Sequence, residues 1–198
     1  MASGEPQDVT QGKPVIFISC GIFREEIELL ARQGAFDRQV VFLDAALHVN
    51  FDLLQARLEE ALEKASSAGG KLKVVYGHCH PDMAEILERY GASRIEAGNC
   101  LEAFVGPEEV GRLNAEATSF FLSAGWVNHW EDMFKLGRET LNFDFRDMFA
   151  NYKRIIVFDT GLIPIDRAKV DAFSEFTGLP VQWRKISLDR LRRLLDSV

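Results

Sequence analysis

Short runs of consecutive apolar residues, separated by stretches with helical spacing, constrain the fold of this chain more than any other feature. The strongest runs are residues 15–19, 40–43, 72–76 and 154–158, with weaker strand patterns at 93–95, 118–122 and 181–183. Consecutive apolar positions are typical of parallel strands buried on both faces, whereas half-exposed antiparallel strands alternate apolar and polar residues. We therefore predict a mainly parallel sheet in which no two of the four strongest runs pair as an antiparallel hairpin.

The segments between these runs carry apolar residues at helical spacing. The predicted helices span residues 22–32, 51–67, 81–90, 100–105, 107–116, 126–136, 141–150, 168–176 and 188–195. Strands that alternate with helices make a parallel sheet covered on both faces. The sequence thus predicts a three-layer α/β fold in a single domain, residues 14–198, preceded by a disordered N-terminal tail, residues 1–13.

Composition narrows the class of ligand. The chain has 198 residues, 47% of them hydrophobic, and a formal net charge of −7. An acidic surface disfavours non-specific binding to nucleic acid or to anionic membranes, because both need positive charge. No apolar run reaches the ~18 residues of a membrane span, and the polar start lacks the order of a signal peptide. We expect a cytoplasmic protein with a small-molecule ligand and no nucleic-acid or membrane partner; a homo-oligomer is left open.

Residues that could bind a ligand or take part in a reaction follow the predicted strands. Cys20 follows the first strand, Cys79 the third and Cys100 the short fourth, while His48 follows the second and Asp159 the sixth. Ligands of an open parallel sheet collect beyond the carboxyl ends of its strands. The sequence therefore places all three cysteines of the chain on one rim of the sheet.

Three thiolates that share a cation can hold one zinc ion or three corners of a [4Fe–4S] cluster. We predict that Cys20, Cys79 and Cys100 are such metal or cofactor ligands, with sulfurs that converge to ~3.8 Å if one zinc ion holds them. Three protein ligands leave a position open for substrate, as in catalytic sites. The alternative is that the three cysteines are small buried residues that pack the strand ends.

The predicted role of each histidine depends on its position along the chain. His48 lies two residues before a predicted helix that Asn50 caps, so it is the candidate catalytic residue, as a fourth ligand or a proton-transfer group. The alternative is a ring that bonds a neighbouring loop. At most one of His78 and His80 is expected to face the cysteines, because neighbours along an extended segment point to opposite sides. For His129, inside an amphipathic helix, a structural role is favoured.

Other features have structural explanations. Glu26 begins a helix, where its charge suits the helix dipole, although it could also orient a ligand at Cys20. Residues 151–154 bring two cations to the start of the sixth strand, at the rim predicted to lie opposite the cysteines, and are expected to stabilise the fold. The aromatic-rich segments 126–134 and 143–149 are expected to form core or a dimer surface.

Several short motifs occur in an order that resembles a known family. They are Cys20-Gly21 with Glu26, Leu47-His48-Val49-Asn50, Tyr76-Gly77 with Cys79, Cys100, Phe120-Phe121-Leu122, Gly125-Trp126 with His129, and Asn151-Tyr152-Lys153-Arg154 followed by Asp159-Thr160. From residue 15 to 160 the chain resembles the bacterial and archaeal family catalogued as domain of unknown function 1638.

That resemblance implies a metabolic role. Members of the family are often encoded beside corrinoid-dependent methyltransferases, which implies methyl transfer or one-carbon metabolism by association. The chain would then be a methyltransferase or an accessory to one, meeting corrinoid only through a partner. Three functions stay open: a thiolate–zinc protein that serves methyl transfer, an iron–sulfur redox or cofactor-reactivation protein, and a non-enzymatic partner or chaperone of a corrinoid protein that binds through residues 126–149.

Overall fold

The computed structural model describes residues 14–141 and 145–197. Within these ranges the strands are β1 (Val15–Cys20), β2 (Gln39–Leu43), β3 (Lys71–Val75), β4 (Ser93–Arg94), β5 (Ser119–Leu122), β6 (Arg154–Asp159) and β7 (Val181–Lys185). The helices are α1 (Arg24–Arg32), α2 (Phe51–Ser67), α3 (Met83–Arg89), α4 (Cys100–Val105), α5 (Pro107–Glu116), α6 (Ala124–Leu141), α7 (Arg167–Thr177) and α8 (Asp189–Asp196). The predicted tail, residues 1–13, lies outside the described residues.

The strands form two parallel sheets. The first has the order β2-β1-β3-β4 and the second the order β5-β6-β7. Every strand pair within these sheets is parallel, which confirms the predicted α/β class and the absence of an antiparallel hairpin among the four strongest runs. The expectation of one continuous sheet is wrong, because residues 154–158 belong to the second sheet. β4, only two residues long, is the edge strand at which the first sheet ends.

A shared hydrophobic core joins the two sheets. Phe17 and Ile18 of β1 and Val74 of β3 belong to the same cluster of buried residues as Ile155 and Val157 of β6. Alternate residues of β6 face the other way, into a smaller cluster that Leu113 of α5 and Phe121 of β5 complete. Burial on both faces explains why these strands read as continuous apolar runs.

Local capping fixes where two of the helices begin. The side chain of Asn50 accepts a hydrogen bond from Leu53 N–H at 3.2 Å, as predicted for an N-cap of α2. The side chain of Asn99 accepts from the N–H groups of Leu101 and Glu102 and so starts α4 at Cys100. Both caps lie just beyond the first sheet.

Three helical segments differ from their predicted form. Residues 21–23 make a 3₁₀ turn before α1, because the chain must bend sharply away from β1. Pro81 precedes α3 rather than starting it, since Asp82 is the N-cap residue. Residues 145–151 form a 3₁₀ helix instead of an α-helix, and residues 142–144 of that predicted segment lie outside the described residues. No helix in the described parts of the chain is long and apolar enough to cross a membrane.

Candidate functional site

One cavity of about 300 Å³ brings the four predicted site residues together. Cys20, Cys79, Cys100 and His48 all line it. Six aromatic side chains form much of the remaining wall: Phe23, Tyr76, Phe120, Phe121, Trp126 and Tyr152. Lys, Arg, Asp and Glu are absent from the described residues that line this cavity. The site is therefore an uncharged, largely apolar chamber that contains every thiol of the chain.

The first sheet presents the thiols and the imidazole at its carboxyl end. Cys20 is the last residue of β1, and Cys79 lies in the loop that follows β3. Cys100 is the first residue of α4, and His48 lies in the 3₁₀ helix Ala45–Val49 between β2 and α2. This is the edge at which ligands of parallel sheets bind. The predicted placement of the three cysteines on one rim agrees with this arrangement.

Glycines allow the loops at this edge to cross closely. A Cβ atom on Gly77 would lie 2.3 Å from the carbonyl oxygen of Gly98, and one on Gly21 would lie 2.8 Å from the carbonyl oxygen of Leu43. The backbone N–H of His78 donates to that same Gly98 carbonyl at 2.7 Å. Because the Gly77–Gly98 crossing joins the loop before Cys79 to the loop before Cys100, it holds these two thiols at one site.

Peptide and indole N–H groups surround the thiols. The backbone N–H of Ile22 acts on Cys20 and that of Gly77 on Cys79, and in each case the interaction lowers the pKa of the thiol. The indole of Trp126 and the backbone at the start of α4 do the same for Cys100. Interactions of this kind stabilise thiolates and are typical of sulfur ligands in metal centres.

Burial nevertheless keeps the thiols protonated. Burial raises the pKa of Cys20 far above its ordinary value, with smaller contributions from the neighbouring Cys100 and Cys79. Burial also raises the pKa of Cys100 to about 12 and that of Cys79 above its usual range, although Arg94 partly offsets the latter. The three groups are close enough to repel one another when ionised. They can become thiolates together only when a cation joins them.

The thiols are not arranged as finished metal ligands. Among residues 14–141 and 145–197, no group of three or more His, Cys, Asp or Glu side chains is positioned to hold a metal ion. The cavity brings the predicted ligands to a common space, and their role as ligands stays a prediction.

His48 has a defined tautomer. Its Nδ1 lies 2.8 Å from the carbonyl oxygen of Ala45, which can only accept, so Nδ1 carries the hydrogen and donates. Nε2 is then left with its lone pair. Burial lowers the pKa of the imidazole below its usual value, so the ring is neutral near pH 7. Trp126 packs edge-to-face against it, with the ring centroids 5.3 Å apart. A neutral histidine with an unprotonated Nε2 can act as a ligand or as a proton acceptor.

The second sheet completes the cavity, which the sequence did not predict. Ser119 and Phe120 of β5 line the wall, and so does Tyr152, which lies just before β6. The expectation that residues 151–154 lie on the rim opposite the cysteines is therefore wrong for Tyr152. The expectation fails because the strands form two sheets. The amino-terminal side of the second sheet meets the carboxyl edge of the first. Arg154 does serve the fold, since it donates to the hydroxyl of Ser119 at 2.8 Å.

The remaining predicted residues lie away from the cavity wall. His80 is buried, accepts from Asp82 N–H at 3.0 Å and packs on Phe51, while His78 contacts Arg94. Neither histidine lines the cavity with Cys79. Asp159 pairs with Lys185 at 2.9 Å at the carboxyl end of the second sheet, whereas the cavity meets that sheet near its amino-terminal side.

Two further expectations concern Glu26 of α1 and the aromatic-rich segments of the chain. Glu26 is 1% exposed, so the helix-dipole explanation, which needs only a surface position, does not account for its burial. Trp130, Phe134, Phe145 and Phe149 are also buried, which agrees with the expected aromatic core. A partner surface made of these rings would need them exposed.

Comparison with known proteins assigns the family. Residues 42–195 match the family described as "Protein of unknown function (DUF1638)". The searches of curated proteins and of solved structures found no match. The matched segment contains His48, Cys79 and Cys100, and Cys20 precedes it. Because this segment covers more than half of the chain, the protein belongs to the DUF1638 family, as the order of its motifs predicted.

Proposed function

We propose that the cysteine-lined cavity is a binding site for a thiophilic metal ion, Zn²⁺, held by Cys20, Cys79 and Cys100. The observation that carries this proposal is the convergence of all three thiols and one neutral imidazole on a single cavity without a charged lining residue. Cys20 is buried and Cys79 and Cys100 are half-buried, and three thiols gathered in this way gain nothing from their proximity without a cation. With a cation they become a ligand set of the kind that zinc prefers.

Charge balance supports a cation at this position. Thiols in an apolar cavity ionise only when positive charge replaces the lost hydration, and the described residues lining the cavity supply none. A divalent cation would compensate two of the three thiolate charges, and the N–H groups of Ile22, Gly77 and Trp126 would stabilise the remainder. The thiol protons must leave when metal binds, which makes uptake steeply dependent on pH.

The donor set favours zinc over an iron–sulfur cluster. Three sulfurs with an imidazole nitrogen make a Cys₃His set, which is common for zinc, whereas a [4Fe–4S] cluster is usually held by four thiolates. When bound, zinc in a thiolate site acts as a Lewis acid on a group that enters its open position. His48 Nε2 would either close that position or accept the proton that the entering group releases. A role in methyl transfer for a corrinoid partner rests on the family resemblance alone.

Metal analysis tests the proposal. The protein is isolated under anaerobic, reducing conditions, and zinc, iron and acid-labile sulfide are counted per chain. We expect one zinc per chain, lost when any one of Cys20, Cys79 or Cys100 is replaced by serine, while His129→Ala, outside the cavity, retains it. Iron and sulfide in stoichiometric amounts would show that the protein holds an iron–sulfur cluster instead of zinc. Absence of bound metal, together with no uptake of added zinc or iron, would overturn the metal centre altogether.

A further inference from the structure

The lining of the cavity restricts the charge and the size of what can enter it. A charged molecule would need a partner of opposite charge, and Lys, Arg, Asp and Glu are absent from the described lining. Burying an unpaired charge is unfavourable, because the charge loses its hydration and gains no partner in return. A volume of about 300 Å³ accommodates a small organic molecule but not a nucleotide-sized cofactor.

Two polar side chains of the wall are already engaged. The side chain of Asn99 accepts from the N–H groups of Leu101 and Glu102 and donates to the carboxylate of Glu102. The hydroxyl of Ser119 donates to a backbone carbonyl at 2.6 Å and accepts from Arg154. These groups hold the wall together and leave little for a ligand.

Two further polar groups act on the thiols. The hydroxyl of Tyr76 is buried against Cys20, and a hydrogen bond between them lowers the pKa of that thiol. The indole of Trp126 acts in the same way on Cys100. Neither group is therefore available to anchor a ligand.

The Nε2 atom of His48 is different. Because Nδ1 donates to the Ala45 carbonyl of its own 3₁₀ helix at 2.8 Å, the edge of the ring that carries Nε2 is left to face the cavity. Nε2 has no hydrogen-bond partner among the described residues, although, unlike the Tyr76 hydroxyl, it keeps accessible surface. Burial lowers the pKa of the imidazole, so bulk water solvates this ring poorly. The cavity thus contains a lone pair that lacks a donor.

A row of aromatic rings continues from this imidazole along the wall. Trp126 packs edge-to-face on His48, with centroids 5.3 Å apart, and Phe120 packs in the same way on Trp126 at 5.6 Å. Tyr152 follows, with its centroid 5.4 Å from that of Phe120. The row offers an apolar surface for the body of a ligand directly beside Nε2.

We infer that the cavity binds a small, uncharged and largely apolar molecule with one hydroxyl or thiol group, which donates its hydrogen to Nε2 of His48. The apolar body of this molecule lies against the row of rings. This inference deepens the proposed function by naming the class of substrate, and it rests on that function only for the part played by the metal.

Four probes that share one ring test the inference: benzyl alcohol, benzyl methyl ether, benzoate and benzylammonium. The ether keeps the oxygen of the alcohol but has no hydrogen to donate. In metal-free full-length protein we expect benzyl alcohol to bind about tenfold more tightly than the ether, which corresponds to one hydrogen bond of about 1.4 kcal/mol. We expect both charged probes to bind at least tenfold more weakly than benzyl alcohol. Affinities are measured by NMR titration.

Two variants locate the acceptor. His48→Phe keeps a ring beside Trp126 and removes Nε2, so it should weaken benzyl alcohol to the level of the ether and leave the ether unchanged. Tyr152→Phe is the matched control, because the Tyr152 hydroxyl also lines the cavity without a partner among the described residues, and it should keep the preference for the alcohol. A preference that survives in His48→Phe, or a charged probe that binds as tightly as benzyl alcohol, would overturn the inference.

A measurement on the unmutated protein does not depend on how the variants fold. The ¹⁵N signal of His48 Nε2 should report an accepted hydrogen bond in the complex with benzyl alcohol and none in the complex with the ether. The same signal in both complexes, or no binding of either neutral probe, would contradict the inference.

A thiol probe separates this inference from the metal proposal. Phenylmethanethiol should bind more tightly than benzyl alcohol in zinc-loaded protein, because its sulfur can enter the coordination position while its proton passes to Nε2. If the alcohol is preferred over the ether but the thiol gains nothing from zinc, the metal proposal fails and the ligand class stands. If the thiol gains from zinc but the alcohol and the ether bind equally, the ligand class fails and the metal proposal stands.

Discussion

His48 owes its chemical capacity to one hydrogen bond. The Ala45 carbonyl fixes the hydrogen on Nδ1, so Nε2 keeps its lone pair. His48 is one of the residues that line the cavity. Metal-ligating histidines commonly hold their other ring nitrogen in this way. A single backbone contact thus determines which nitrogen can bind metal or accept a proton.

Replacement of His48 should therefore affect metal retention more than folding. We expect His48→Ala to weaken zinc affinity by about 10–100-fold, the range seen when groups that support a metal site are removed. Competition with a chromophoric chelator measures the affinity, and far-UV circular dichroism checks the fold. His129→Ala is the matched control. Unchanged affinity in His48→Ala, with lower stability, would assign the ring to loop packing instead.

The buried carboxyl of Glu26 predicts how the free energy of unfolding depends on pH. Burial raises the pKa of its carboxyl from 4.5 to about 8, and Glu25 adds to the shift. Between pH 6.5 and 7.5 the folded chain holds a proton that the unfolded chain has lost. The free energy of unfolding should therefore fall as pH rises through this interval, by at most about 1.4 kcal/mol per pH unit. The contribution of His48, whose pKa is lowered, has the opposite sign and fades above pH 6.5, as the imidazole of the unfolded chain loses its proton.

Urea titrations across this interval check the assignment. Glu26→Gln keeps the shape of the side chain and removes the titration, so its free energy of unfolding should no longer fall between pH 6.5 and 7.5. Glu28→Gln, exposed on the same helix, should keep the slope of the wild type. A slope that survives in Glu26→Gln would place the titrating group elsewhere.

At the scale of elements, the crossing of two loops determines whether the site forms. Gly77 follows β3, and its backbone passes so close to Gly98 that a methyl group would collide with a carbonyl oxygen. Cys79 and Cys100 lie just beyond this crossing, on the two loops that it joins. The geometry of the thiols is thus a property of how β3 and α4 are connected.

Gly77→Ala should push these loops apart. We expect a loss of about 1–3 kcal/mol in the free energy of unfolding, as for overpacked sites, and a loss of zinc binding. Gly111→Ala is the matched control, because a Cβ there meets nothing within 4 Å inside α5, and it should stabilise the chain by about 0.5–1 kcal/mol. A stable Gly77→Ala variant with normal zinc affinity would show that the crossing does not position the thiols.

The sequence predicts the first sheet's part of the site but not the second's. Apolar runs mark strand ends, so the positions of Cys20, Cys79, Cys100 and His48 at one rim follow from local pattern. The contribution of Tyr152 does not, because it depends on which sheet β6 joins. Long-range strand pairing leaves no periodic trace in the chain, and continuous apolar strands look alike in either sheet.

Tyr76 could have been found from the sequence. It ends the third apolar run, residues 72–76, and precedes Gly77, so it lies near the same rim as the cysteines. The full burial of Tyr76 is a packing result and has no signature in the residue order. Burial of Glu26 is likewise invisible in a pattern that also fits a helix end.

At the scale of the whole molecule, the cavity lies between two sheets that share one core. The cluster that contains Phe17 and Val74 also contains Ile155 and Val157, so neither sheet can unfold without exposing residues that the other covers. Residues from both sheets line the cavity. A ligand or metal bound there therefore stabilises both.

Unfolding should accordingly be one cooperative event. We expect far-UV circular dichroism and tryptophan fluorescence to give the same denaturation midpoint, and zinc to raise both midpoints together. Cys79→Ser should abolish the rise with zinc. Two separated transitions, or a zinc effect on one signal only, would mean that the sheets are energetically independent.

If Cys20, Cys79 and Cys100 bind one zinc ion, X-ray absorption at the zinc edge should detect their sulfur atoms around it. The zinc-loaded wild type should show three sulfur neighbours at about 2.3 Å and one nitrogen or oxygen neighbour at about 2.0–2.1 Å. Each cysteine-to-serine variant, which does not retain zinc on isolation, should show at most two sulfur neighbours when zinc is supplied in excess. A first shell made only of nitrogen and oxygen, or one that keeps three sulfurs in any of these variants, would contradict the account.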